Sequence, residues 1–156
     1  MDIDTNEQLI AFCQEALRIP SYSGQEKGVA ELMKRKMEAY GFDEVIIDRF
    51  GSVLGTIRGK RPGKTVLMDG HIDTVDVIDA PQWKHDPFGG EIVDGRIYGR
   101  GTSDMKCGLA TLMFTMGLLS TSGAELGGDI RLHVVCDEEI AGGGTTWLCD
   151  NGYADG

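Results

Sequence analysis

Asp129-Ile130-Arg131-Leu132-His133-Val134-Val135-Cys136-Asp137-Glu138-Glu139 is the stretch that decides the fold. Ile130, Leu132, Val134 and Cys136 recur at every second position, the period of a β-strand with one face packed on a core. The strand runs directly into three carboxylates. Three adjacent acids at the end of a buried strand are costly unless a cation or protons neutralise them, so this strand end is a candidate cation site. Neighbouring residues leave a strand in opposite directions, so of Glu138 and Glu139 one can bind a metal while the other holds the attacking water. A metal acidifies such a water toward a pKa of about 7. A solvated acidic turn accounts for the same residues without chemistry.

Two further stretches belong with this one. Val66-Leu67-Met68 reads as a strand that leads into Asp69-Gly70-His71-Ile72-Asp73, and sites in α/β sheets gather where strands end and loops open outward. If the backbone stays extended there, Asp73 faces the same side as His71 and takes the hydrogen from one ring nitrogen, leaving the other for a metal. The plain alternative is a turn histidine paired with a nearby aspartate. Asp104 follows the glycine loop Gly99-Arg100-Gly101-Thr102-Ser103 and precedes a long apolar run. A carboxylate held there either caps the helix or bridges two cations about 3.5 to 4 Å apart. One histidine and several such carboxylates form a ligand set for two divalent metals, which makes a metal-dependent hydrolase the first hypothesis.

The remaining segments set the fold class. Thr5-Asn6-Glu7-Gln8 has the form of a capping box, and Leu9, Ile10, Phe12, Cys13, Ala16 and Leu17 continue at helical spacing until Pro20. After Ser21-Tyr22-Ser23-Gly24, residues Val29, Ala30, Leu32, Met33 and Met37 mark a second helix stopped by Gly41, with Lys34, Arg35, Lys36 and Glu38 on a solvated face. Val45-Ile46-Ile47, Val53 to Ile57 and Thr65 to Met68 read as three short strands, and Asp94-Gly95 as the turn of a hairpin between Glu91-Ile92-Val93 and Arg96-Ile97-Tyr98. Met105 to Leu119 is almost wholly apolar and is expected to be a helix buried on most sides. A short helix is expected at Thr145-Thr146-Trp147-Leu148. Strands alternating with helices predict an α/β sandwich with a mixed sheet.

Composition narrows the function. A chain of 156 residues is long enough for one domain with a real core. With 41% hydrophobic residues, 26% charged residues and a formal charge of -10, it is a poor partner for phosphate backbones, so nucleic acid is not expected. No apolar run reaches bilayer length, and Met1-Asp2-Ile3-Asp4 does not read as a signal peptide, so a cytoplasmic protein without a membrane partner is expected. Cys13, Cys107, Cys136 and Cys149 lie far apart and read as reduced, packed thiols rather than a zinc site. Gly99-x-Gly101-x-x-Asp104 has Asp where a dinucleotide fingerprint needs its third glycine, and Gly142-Gly143-Gly144-Thr145 lacks the lysine of a phosphate loop. His85 and His133 are read as structural, with His85 a possible border of a substrate cleft.

Together, Gly70-His71-Ile72-Asp73-Thr74-Val75, Gly99 to Lys106 and Asp137-Glu138-Glu139 strongly resemble the acetylornithine deacetylase, succinyl-diaminopimelate desuccinylase and carboxypeptidase family of di-zinc hydrolases. Trp83 and Asp86-Pro87-Phe88 share the likeness, which covers nearly the whole chain. The resemblance implies a three-layer α/β sandwich with a mixed β-sheet of the zinc-exopeptidase type, incomplete in residues 1–156. These residues would be the N-terminal part of a catalytic domain, without the lid and dimerisation domain and the C-terminal part; full-length family members are often homodimers. It implies His71 on the first zinc, Asp104 bridging both, Glu139 on the second, Glu138 as general base and acid, and Asp73 orienting His71. Cobalt or manganese are possible replacements for zinc. The implied reaction is hydrolysis of an amide or peptide bond in a small N-acyl amino acid or short peptide. The downstream acidic and histidine ligands of the family lie beyond Gly156, so the isolated chain is expected to bind metal weakly and be inactive. Cys107 stands where the family commonly has glycine.

A binding module that keeps the fold without the chemistry is the alternative, though the presence of His71, Asp73, Asp104, Glu138 and Glu139 together speaks against it. A mononuclear or calcium-type carboxylate site is another, for which His71 is a poor ligand. Titration separates them: zinc is expected to bind in preference to calcium, and equal or stronger calcium binding would sink the zinc reading.

Overall fold

The computed structural model describes residues 5–154. Two helices come first, α1 (Thr5–Leu17) and α2 (Lys27–Ala39), followed by strands β1 (Glu44–Ile47), β2 (Val53–Ile57) and β3 (Val66–His71). A hairpin, β4 (Glu91–Val93) and β5 (Arg96–Tyr98), then precedes helix α3 (Lys106–Thr121), strand β6 (Ile130–Val135) and helix α4 (Gly143–Asp150). The expected elements are all present. Helix α1 already includes Thr5, so Thr5 does not serve as the cap outside the first turn; Met1–Asp4 lie outside the described residues.

The main sheet has the order β1-β2-β6-β3 and is mixed. β1 and β2 are antiparallel, as are β2 and β6, whereas β3 runs parallel to β6 with Val66 opposite Ile130 and His71 opposite Val135. β3 is longer than its apolar run because this pairing continues through Asp69, Gly70 and His71. The hairpin forms a separate two-stranded sheet. Its turn residues Asp94 and Gly95 both have positive φ, 50° and 73°, as a type I′ turn demands.

The core lies between the sheet and the first three helices. Phe12, Ala16, Val29, Met33, Met37, Leu109 and Met113 pack against Val53, Ile57, Leu132 and Val134. On the opposite face a smaller cluster joins Leu54 and Val135 to Leu148 of α4, with Trp147 and Tyr153 at its margin. The sandwich therefore has three layers, the third thin: Ile46 and Leu67 on that face remain 36% and 40% exposed. α3 departs from expectation, since Thr111, Thr115 and Leu118 form an exposed side beside its buried one. The four cysteines are free thiols; Cys13 of α1 is buried in the core, and Cys107 of α3 packs against that core. Among the described residues no helix is long and apolar enough to cross a membrane.

α2 stops as Gly41 predicts. Gly41 takes a φ of 76°, its N–H donates to Glu38 O, and the Phe42 N–H donates to Met37 O, the paired bonds of a glycine-terminated helix. This turn delivers Tyr40 edge-on to both Phe12 and Phe114, with ring centroids 6.0 and 5.6 Å apart. α3 can approach Tyr40 only because residue 117 is glycine: a Cβ there would lie 2.6 Å from Tyr40 Cβ. Helix propensity alone favours Gly117→Ala by about 1 kcal/mol, but the clash is with an atom fixed to the backbone and overpacking costs about 1 to 3 kcal/mol. The expected outcome in urea unfolding is a net loss of stability; a more stable variant would show that the α2–α3 contact yields easily.

Candidate metal centre

The parallel pairing of β3 with β6 brings the two acid-bearing strand ends to the same edge of the sheet. The Ile72 N–H donates to Val135 O at 3.0 Å, so the chain past His71 still follows the chain leading to Asp137. His71 is buried at this edge. Its Nε2 lies 2.9 Å from Asp104 Oδ1 and 3.8 Å from Glu138 Oε2. One ligand atom each from His71, Asp104 and Glu139 lie within 4.8 Å of one another. Thus the sequence-predicted residues converge although they come from three separate segments.

Nδ1 of His71 faces away from that cluster. It is 3.0 Å from the main-chain oxygen of Asp73 and 3.5 Å from that residue's carboxylate. The nearer acceptor of the ring hydrogen is therefore the Asp73 carbonyl, with the carboxylate behind it. That leaves Nε2 as the nitrogen able to bind a cation. Asp104 does not cap α3: the cap position is Met105, and the Asp104 side chain is 72% exposed on the open side of the cluster. The Asp104–Met105 peptide is cis.

Glu138 and Glu139 are not strand residues, so alternation does not set their directions. β6 ends at Val135 and the chain turns at Asp137, whose φ is 56°. Asp73 then holds the turn from below. Its carboxylate is fully buried and accepts the Glu138 N–H at 3.1 Å, the Glu139 N–H at 3.0 Å and the Ser23 hydroxyl at 2.7 Å. Burial would raise its pKa, but His71, Ser23 and the two amides outweigh that and hold the carboxyl far below the usual carboxylate range.

Four supporting residues carry little mark in the sequence. Ser21 and Ser23 lie in the stretch read from the sequence only as a helix break, and Glu26 follows it without a sequence assignment; Ser23 donates to Asp73, Ser21 donates its hydroxyl to Ile72 O at 2.6 Å, and Glu26 accepts the Asp137 N–H. Lys106 is fully buried and donates to Ile19 O at 2.6 Å and Ala16 O at 3.3 Å, tying the chain after Asp104 to the end of α1. Burial pushes its pKa down to about 8, and the carbonyls at the end of α1 are suited to a cation. A single lysine opening an otherwise apolar helix was the available signal for it. His85 pairs with Glu91 at 2.8 Å and rests against Tyr98, and His133 is buried in β6; neither joins the ligand cluster.

Residues 67–156, more than half of the chain, match the family model of peptidase family M20/M25/M40. The chain belongs to this family. Succinyl-diaminopimelate desuccinylase of Cereibacter sphaeroides is 37% identical over 150 residues, covering 94% of this chain and 39% of that protein. Among solved structures, the YXEP protein of Bacillus subtilis, a dinuclear metal binding peptidase of the M20 family, matches with a TM-score of 0.79 and 24% identity over 100% of this chain and 42% of that one. Human carnosine dipeptidase 1 matches with a TM-score of 0.84 and 17% identity over 96% of this chain and 36% of that one, a likeness of fold. The chain thus spans well under half the length of the M20 relatives it matches.

The donor set fits a divalent transition metal: one imidazole and two carboxylates suit zinc, cobalt or manganese, whereas calcium prefers oxygen alone. Without metal, the hydrogen bond to Asp73 raises the His71 pKa to about 9 against the opposing effect of burial, with Asp104 and Glu138 adding to the rise. The imidazolium therefore stabilises the metal-free fold fully below about pH 6.5, and this contribution is lost as pH rises through about 9. Lifting the pKa from 6.5 to about 9 corresponds to about 3 kcal/mol. In chelator-treated protein, the stability difference between the unchanged chain and His71→Gln is expected to shrink over that interval; the contributions of Lys106 and His133 cancel in the difference. A difference independent of pH would show that the imidazolium is not held as described.

Proposed function

We propose that this chain forms the N-terminal part of the catalytic domain of a zinc-dependent amide hydrolase, an N-acyl amino acid deacylase or exopeptidase. The carrying observation is the convergence of donor atoms from His71, Asp104 and Glu139 within 4.8 Å beside the carboxylate of Glu138. In this reading His71, Asp104 and Glu139 would hold the zinc, His71 and Glu139 each serving one ion and Asp104 shared between them. Bound zinc supplies polarisation of the scissile carbonyl and acidification of a water.

Glu138 is the general base and acid: it takes a proton from the water and delivers it to the leaving amine. Its carboxylate is half-exposed, which suits a group that must meet both water and substrate. Asp73 orients His71 and keeps Nε2 facing the cluster. The names of the relatives, a desuccinylase and a dipeptidase, support a small N-acyl amino acid or short peptide as the substrate class. A cytoplasmic location without nucleic acid or membrane partners belongs to the same proposal, in keeping with the charge of -10.

Within these residues one zinc would have only His71 and Asp104, and the other only Glu139 and Asp104. That is two protein ligands each, where catalytic zinc usually has three. The isolated chain is therefore expected to bind zinc weakly and to show no turnover of N-acyl amino acids or dipeptides. Tight uptake of two zincs with turnover would overturn the incompleteness. The roles separate by substitution: Glu139→Ala and His71→Ala are expected to weaken zinc binding about tenfold or more, whereas Glu138→Ala leaves it within about threefold. Equal losses from Glu138→Ala and Glu139→Ala would contradict the assignment.

A further inference from the structure

Glu26 stands at the start of α2, where an acidic side chain ordinarily serves the first amides of its own helix. It makes no such cap. The side chain is buried, 7% exposed, and one oxygen accepts two main-chain hydrogens: from Gly24 at 2.9 Å and from Asp137 at 3.1 Å. None of the ion pairs among the described residues includes it. A carboxylate withdrawn from water without a cation is retained against a desolvation cost, so what it bonds to is informative.

Asp137 is the residue at which β6 gives way to the acid turn, and its φ of 56° lies in the left-handed region. Through that turn three successive amides point at anionic oxygens: Asp137 at Glu26 Oε1, Glu138 at Asp73 Oδ1 and Glu139 at Asp73 Oδ2. Consecutive main-chain N–H groups converging on anions form a concave donor surface. Here the protein supplies both anions itself, one from each side of the α1–α2 connection and the chain after β3. With the amides occupied below, the Glu138 and Glu139 side chains emerge toward His71 and Asp104.

The connection carrying Glu26 is itself fastened to the His71 segment. Tyr22 forms a parallel bridge with Thr74, the Thr74 N–H donates to Ser21 O at 2.9 Å, and Ser23 donates to Asp73. Glu26 thus extends one anchored loop to a second place in the acid turn without touching any candidate ligand atom.

We propose that Glu26 is a positioning residue of the metal centre: by holding the Asp137 amide it sets the directions in which Glu138 and Glu139 present their carboxylates. This rests on the roles given above to Glu138 and Glu139. The test compares the 156-residue chain with Glu26→Ala and Glu26→Gln by site-resolved amide hydrogen exchange and by titration with Co²⁺, read from its visible spectrum. In Glu26→Ala the amides of residues 137–139 are expected to exchange about tenfold faster while those of β6 and α3 stay unchanged, and Co²⁺ affinity is expected to fall about tenfold. Glu26→Gln, whose side-chain oxygen still accepts both hydrogens, restores both. Unchanged exchange at 137–139 in Glu26→Ala, or acceleration spread equally over β6 and α3, would overturn the proposal. Should Glu26→Ala fail to fold, Glu26→Asp keeps the charge but draws it back by one methylene; it is expected to expose the Asp137 amide, and protection equal to that of the unchanged chain would count against the role. If the unchanged chain takes up no Co²⁺, the ligand assignment falls, and the exchange comparison still decides whether Glu26 holds the turn.

Discussion

The site depends first on the register of two parallel strands. With His71 opposite Val135, the last residue of β3 and the last residue of β6 end together, and everything that follows either strand shares one edge. Parallel strands need a long crossover, and here it contains the β4–β5 hairpin, the glycine loop with Asp104, and α3. The crossover therefore does more than connect: it returns a carboxylate to the strand end it left, 2.9 Å from the imidazole. Lys106 holds that return in place from behind by bonding to the carbonyls at the end of α1.

Asp73 is where packing becomes electrostatics. A fully buried carboxylate ordinarily takes up a proton, yet two amides, a serine hydroxyl and the neighbouring imidazole keep this one ionised. The same charge favours the imidazolium in the absence of metal, while the Asp73 carbonyl, 3.0 Å from Nδ1, leaves Nε2 toward the open side. An ion that binds must therefore displace a proton, and the histidine is oriented before the ion arrives. Asp104 and Glu138 stay substantially exposed, so the rigid part of the site is its floor and the accessible part its rim.

What the sequence discloses and what it hides divide along physical lines. β6 shows itself by alternation, the end of α2 by Gly41, and the hairpin by Asp94-Gly95, because each follows from preferences of a few neighbouring residues. His71, Asp104 and Glu139 are legible as a group because each stands at a strand end or in a glycine loop beside an apolar run. Ser23, Glu26 and Lys106 are less visible, since their partners lie 50, 111 and 87 residues away and no local pattern announces the bond. The directions of Glu138 and Glu139 escape the alternation rule because the strand has already ended and a left-handed Asp137 reorients the chain. Asp104 misleads in the other sense: its place before α3 imitates a cap, while its oxygen faces the histidine.

β3 is the last strand of its sheet among the described residues, and it carries His71. A border strand offers a row of unpaired main-chain groups to whatever lies alongside. Because side chains alternate with a period of two, a neighbour displaced by a single residue would present the opposite set of groups to the side that His71 occupies. At this border, then, the alignment of any added strand would also decide which of its side chains stand beside His71.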